Sequence, residues 1–261
     1  LTAALKEKDR TQGIDVAIGL TEGFVADLGK AKAAGTPTGY SLAGTYVNSP
    51  LCWAISTGAQ RDELTGVADL RGKKVGVSRI GSGSYVMSFV LADQQGWLDS
   101  DASKEPFESM TPIGDFAALR KSVKDKSTDF FMWEHFTTKH FWDNGEIKRI
   151  GEIYTPWPSW MIAARDQEAG SEGRVADLTA KLDQGIKHYH ANTEEAIEYI
   201  TSAMHYSRED ALEWMKTVQF VDTAHGVKVK VIDDVVAILR KAGVLDEKAG
   251  GSEHMISIKV V

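Results

Sequence analysis

The sequence predicts an α/β fold, and three observations predict it. Short apolar runs that read as strands alternate with amphipathic stretches that read as helices between Ile14 and Ala164. One stretch, Val75 to Trp97, carries a complete strand–loop–helix unit. Beyond Arg174 the pattern turns to helices. With 261 residues and 43% hydrophobic content, the chain suits one large or two modest domains with an ample core.

The Val75 to Trp97 stretch organises the rest. Val75 to Ser78 reads as a buried strand and Arg79 to Ser84 as a small polar loop. Val86, Phe89 and Val90 then recur at helical spacing until Gly96 stops the helix. Gly81 and Gly83 allow a tight turn, and Ser82 and Ser84 set hydroxyls beside helix-start amides that lack intrahelical partners. Two readings stand: a capped turn with Arg79 as a surface charge, or a cradle for a small anion built from serines, an arginine and a helix N-terminus. The pattern is neither Gly-x-x-x-x-Gly-Lys-Ser/Thr nor Gly-x-Gly-x-x-Gly, since Val86 stands where the third glycine belongs.

In chain order, Leu1 to Lys8 reads as the tail of a helix and Thr11 to Gly13 as a turn. Leu1 is not a methionine and stands in mid-helix, so the natural beginning is expected to be missing and a signal peptide stays open. Ile14 to Leu20 is a nearly continuous apolar run, as expected of a parallel strand covered on both faces. Thr21-Glu-Gly follows at its carboxyl end and opens a helix over Phe24 to Lys32. Glu22 there is either a cleft residue or a helix-start acid. Gly35 to Gly39 is a loop, and Ser41 to Val47 and Leu51 to Thr57 are β-prone runs. Pro50 between them suggests a crossing or edge rather than a central strand.

Asp62 to Leu70 is expected to form a short helix, and a polar loop follows Trp97. A helix then covers about Asp115 to Lys124, with a strand over Thr128 to Trp133. Phe136, His140 and Phe141 mark a helix ending at the Asn144-Gly turn. Arg149 to Tyr154 leads to Thr155-Pro-Trp-Pro-Ser-Trp160, and Met161 to Ala164 is a strand. Val175, Leu178, Leu182, Ile186 and Tyr189 form one helical stripe. Asn192 with Glu195, and Ser207 with Asp210, are expected helix caps. Ile232, Val235, Val236 and Leu239 make a last helix stopped near Gly243, and Ile256 to Val261 alternates like a strand.

Composition removes several function classes. Lys plus Arg number 30 against 37 Asp plus Glu, a net charge of −7 that argues against a nucleic-acid surface. No apolar run approaches the ~20 residues of a membrane span. Cys52 is the only cysteine, so neither an intrachain disulfide nor a cysteine metal cluster is expected. His135 and His140 are five apart, wrong for two ligands on one helix face, and His188, His190, His205 and His225 read as surface residues. No nucleophile elbow is present. Trp133, Trp157 and Trp160, with Tyr85 and Tyr154, sit at strand ends and in loops, where they read as the walls of a small-molecule cleft or as glue between two lobes.

Ile14-Asp-Val-Ala-Ile-Gly-Leu-Thr-Glu-Gly, Asp69-Leu-Arg-Gly-Lys-Lys-Val-Gly-Val-Ser-Arg-Ile-Gly-Ser-Gly-Ser-Tyr and Phe131-Met-Trp-Glu together resemble the type II periplasmic-binding-protein fold. The resemblance is to the branch of alkanesulfonate- and taurine-binding proteins and fungal thiamine-pyrimidine synthases, and most of all to fungal proteins that keep Ser-Arg-Ile-Gly-Ser-Gly-Ser-Tyr-Val-Met-Ser and Tyr-Thr-Pro-Trp. It implies two α/β lobes joined by two crossing strands, near Tyr46 to Leu51 and near Ile153 to Pro158, with ligand held between the lobes. Residues 1–49 plus 156–261 form one expected lobe and residues 50–155 the other. The family's opening strand, helix and strand have no counterpart before Leu1, and Ile256 to Val261 is either a tail or a substitute for that strand.

By the same resemblance, Ser82 and Ser84 hold the ligand's anionic group, Thr21 and Glu22 face them, and Trp133 with Glu134 sits near the hinge. With the loop residues and the second tryptophan, the candidate ligand-binding set is Thr21, Glu22, Ser78, Arg79, Ser82, Gly83, Ser84, Tyr85, Trp133, Glu134 and Trp157. The pyrimidine synthases use a cysteine-rich iron motif that Cys52 alone does not supply. The expectation is therefore non-enzymatic binding of a small anionic or zwitterionic organic molecule, with no cofactor, metal or nucleic acid and with a transporter partner only if the protein is exported. An enzyme of the pyrimidine-precursor type and a ligand-free interaction module are the alternatives. The fungal likeness favours the cytoplasm and a bacterial origin the periplasm. Nothing in the sequence sets the oligomeric state.

Overall fold

The computed structural model describes residues 1–9, 11–98, 105–166, 172–204 and 206–260. It is mixed α/β with open sheets. The expected polar loop after Trp97 and His205 lie partly or wholly outside the described residues. Two compact units emerge: Leu1–Pro50 with Pro156–Arg240 and Leu245–Val261, and Leu51–Thr155 with Lys241–Val244.

The first unit holds α1 (Thr2–Lys6), β1 (Val16–Leu20), α2 (Thr21–Ala33), β2 (Tyr40–Val47) and β8 (Trp160–Arg165). Its sheet has the order β1-β8-β2, antiparallel throughout. The Ile14 to Leu20 run was expected to be a parallel strand; instead its ladder is antiparallel to β8, with Leu20 opposite Trp160. A hydrophobic run reports burial and is silent about the direction of its neighbour. The Arg165 side chain, 8% exposed, donates to the carbonyls of Ala4, Glu7 and Ile14 and so ties the first helix to β8.

The helices that follow are α6 (Glu172–Ala191), α7 (Thr193–Ala203), α8 (Arg208–Thr217) and α9 (Val229–Lys241). Ser207 caps α8 as expected, its Oγ accepting from the Asp210 amide at 3.0 Å. Asn192 does not cap α7. Its amide instead turns back and donates to the His188 carbonyl at 2.8 Å, closing the end of α6. Only Lys259–Val260 of the expected terminal strand pairs as β10, parallel to β9 (Val227–Lys228). Ile256 bridges Leu42, so this segment runs along β2, on the far side of the sheet from β1.

The second unit is built on a five-stranded sheet in the order β5-β4-β6-β3-β7. Its strands are β3 (Cys52–Gly58), β4 (Lys74–Val77), β5 (Ser109–Pro112), β6 (Phe130–Glu134) and β7 (Ile147–Tyr154). Against them lie α3 (Gly83–Gln94), α4 (Phe116–Lys124) and α5 (His135–Asp143). Contrary to the proline argument, β3 is interior, paired with both β6 and β7. Pro50 falls two residues before the strand and removes no ladder donor. The helix expected over Asp62 to Leu70 shrinks to a 3-10 turn at Val67–Leu70. The Thr65 and Gly66 amides spend their hydrogen bonds on the Asp69 carboxylate, which competes with helix formation there. Leu119, Val123, Phe131 and Ile147 form a core between α4 and the sheet.

Candidate functional site

The expected anion loop has a defined shape because its own groups hold it. β4 ends at Val77, the chain turns with Ser82 N donating to the Arg79 carbonyl, and Gly81 takes φ +77°, a conformation other residues resist. Ser82 caps α3, its Oγ accepting from the Tyr85 amide at 3.2 Å. Ser84, expected in the loop, lies in the first turn of α3. Its Oγ accepts from the Ser78 amide at 3.0 Å and lies 3.0 Å from the Ser82 hydroxyl. Ser82, Gly83 and Ser84 are buried, and Tyr85 is half-buried with its ring edge-on to Phe89. Burial raises the Tyr85 phenol above its ordinary pKa, so it is a donor at neutral pH.

Arg79 is exposed and makes no ion pair among the described residues. It stands beside the N-terminus of α3, where first-turn amides lack intrahelical acceptors. One unpaired guanidinium, serine hydroxyls and a helix start are the chemistry of an anion cradle.

Trp133 and Glu134 belong to the same unit, at the end of β6. Trp133 stacks on Phe116 with centroids 5.1 Å apart and planes 16° from parallel, at the margin of the α4 core. Both Glu134 oxygens accept from backbone, Oε1 from Phe136 and Oε2 from Thr137, so this carboxylate caps α5.

In the first unit, Thr21 and Glu22 begin α2, and both are buried completely. Thr21 donates its hydroxyl to the Pro158 carbonyl and its amide to Ser159. Glu22 Oε2 accepts from Trp157 Nε1 at 3.0 Å, whereas Oε1, equally enclosed, meets no donor among the described residues. Burial pushes the Glu22 carboxyl up to about 7. No local signal marks Pro158 and Ser159 as partners of Thr21; only the β1–β8 register, Leu20 against Trp160, brings them to it.

Two surface concavities of about 400 Å³ each lie elsewhere. One is lined by Thr45, Phe220 and His225 in the first unit and the other by Arg61, Lys124 and Lys126 in the second, and no candidate residue lines either. No helix among the described residues is long and apolar enough to cross a membrane.

The Ca3427-like PBP family model matches residues 53–153, which span the sheet and the loop just described. The Candida albicans CA3427 gene product, which defines a family with the generic periplasmic-binding-protein fold, is 42% identical, with 92% of this chain and 78% of that one aligned at a TM-score of 0.79. The alkanesulfonate-binding protein SsuA of Xanthomonas axonopodis pv. citri, bound to MOPS, shares the fold at 14% identity, 90% and 78% coverage and a TM-score of 0.69. The Escherichia coli aliphatic sulphonate-binding protein SsuA does so at 17%, 94% and 79%, with a TM-score of 0.64. No curated protein sequence matches the chain. The type II periplasmic-binding-protein fold supports a ligand-binding role in general, and the identity to the Candida protein over nearly the whole chain makes the protein a member of the Ca3427-like family.

Proposed function

We propose that the protein binds a small organic anion or zwitterion and does not transform it, with the anionic group held at Arg79, Ser82, Gly83, Ser84 and Tyr85. The observation that carries this reading is the exposed Arg79, without an ion pair among the described residues, beside the capped start of α3. Likeness in fold to the two sulfonate-binding proteins makes sulfonates the first class to try. A transporter partner follows only for an exported protein.

The test is a thermal-shift screen of the full chain with sulfonates, carboxylates, amino acids and pyrimidine phosphates, and Arg79→Ala as control. A true ligand at 100 times its Kd adds ~2.7 kcal/mol, a rise of roughly 5–10 °C. Arg79→Ala is expected to weaken binding about 10- to 100-fold, the worth of one charged hydrogen bond, and to leave the unliganded melting temperature unchanged. Silence across the panel with intact folding refutes the anion reading.

A further inference from the structure

The register of three neighbouring strands gathers a second set of reactive side chains in the unit of residues 51–155. In the β6-β3-β7 part of the sheet, Trp53 opposes Glu134 and Cys52 opposes Tyr154. One step further along β6 is His135, at the start of α5, and two residues before Tyr154 on β7, hence on the same face, is Glu152. The donor atoms of Cys52, His135 and Glu152 lie within 4.8 Å of one another. Glu152 Oε2 is 3.7 Å from Cys52 Sγ and 3.8 Å from His135 Nδ1.

We propose that Cys52, His135 and Glu152 are the three protein ligands of a divalent metal of the zinc type. Ligands at ~2.0–2.3 Å from a tetrahedral zinc are separated by about 3.3–3.6 Å, so the two separations to Glu152 need close by only a few tenths of an ångström, while the Cys52 and His135 atoms, within 4.8 Å of each other, draw together on binding. His135 Nδ1 is enclosed and has no hydrogen-bond partner, the condition of a ligand atom awaiting its metal. The imidazole is fixed by the edges of Phe136 and Trp142, 4.8 and 5.0 Å away. Tyr154 stands directly opposite Cys52 in the β3–β7 register, a phenol placed to orient a thiolate.

One thiolate, one imidazole and one carboxylate favour zinc over the hard oxygen-seeking cations and leave a fourth position for water or a small ligand. Metal binding displaces the Cys52 thiol proton to solvent. Arg149 occupies Glu152 Oε2 and must yield this oxygen on binding.

The experiment uses the full-length chain stripped with a chelator and titrated with Co²⁺, then Zn²⁺. One equivalent of Co²⁺ is expected to give a thiolate-to-cobalt charge-transfer band that Zn²⁺ abolishes. Cys52→Ser removes the band, and it and His135→Gln weaken Zn²⁺ binding by more than the roughly 10- to 100-fold that loss of a supporting partner costs. Wild-type protein without the band, or variants that bind Zn²⁺ as the wild type does, overturns the proposal. If His135→Gln fails to fold, Cys52→Ser decides alone, since a serine at a half-buried strand start keeps the packing.

Discussion

Glu22→Gln separates the charge of one buried carboxyl from its shape. Glu22 is wholly enclosed, and burial lifts its pKa to about 7, above the ordinary carboxylate range. In the folded chain it keeps its proton up to that pH; in the unfolded chain it loses it near ~4.3. Between these values folding takes up a proton, so this group's contribution to stability is fully present below ~4.3 and falls as pH rises through about 7. A pKa difference of roughly 2.5 at ~1.4 kcal/mol each comes to about 3 kcal/mol above neutrality. Glutamine is neutral at every pH, and its carbonyl still accepts from Trp157. The variant and the wild type should therefore match in stability near pH 4.5, and the variant should gain as pH rises. At pH 8 the gap should approach 3 kcal/mol, or roughly 6–12 °C in melting temperature. Urea denaturation followed by tryptophan fluorescence at several pH values measures it, and other titrating groups cancel in the difference. Parallel pH profiles for the two proteins refute the assignment of a proton to Glu22.

Two further substitutions test the local architecture. Ser82→Ala removes the cap of α3 and should cost about 1 kcal/mol in chemical denaturation, with Ser82→Gly costing a few tenths. Gly44→Ala places a Cβ 2.1 Å from the Ala224 carbonyl oxygen, a backbone atom with little freedom to retreat. It should destabilise by about 1–3 kcal/mol, visible as a lowered denaturation midpoint, while Gly23→Ala, with open space at its Cβ, changes little. A tolerated Gly44→Ala contradicts the close approach of β2 to that segment.

The elements legible in the sequence were those whose start, period and stop signals all lie in adjacent residues. The strand–loop–helix unit at Val75 to Trp97 was legible because apolar period, serine cap and glycine stop all lie within one stretch. The Ser207 cap was legible for the same reason, and the motif resemblance carried the fold class. Asn192 behaves otherwise: a capping residue type also bonds backwards to the preceding helix, and the competition is decided by geometry.

Only the tertiary structure decided what depends on strand order and register. It turned β1 against an antiparallel neighbour, placed β3 inside its sheet and engaged Trp133 and Glu134 with Phe116 and α5. It left Glu22 with one oxygen free and Arg79 exposed, alternatives that residue identity had left open. It also drew Cys52, His135 and Glu152 together, although Cys52 is the one cysteine of the sequence and His135 has no histidine at ligand spacing on its own helix. Residues 52, 135 and 152 share no local motif, because their proximity is set by backbone hydrogen bonds between strands far apart in the chain. Those bonds are common to every residue type, so side-chain identity could not announce which strands would meet.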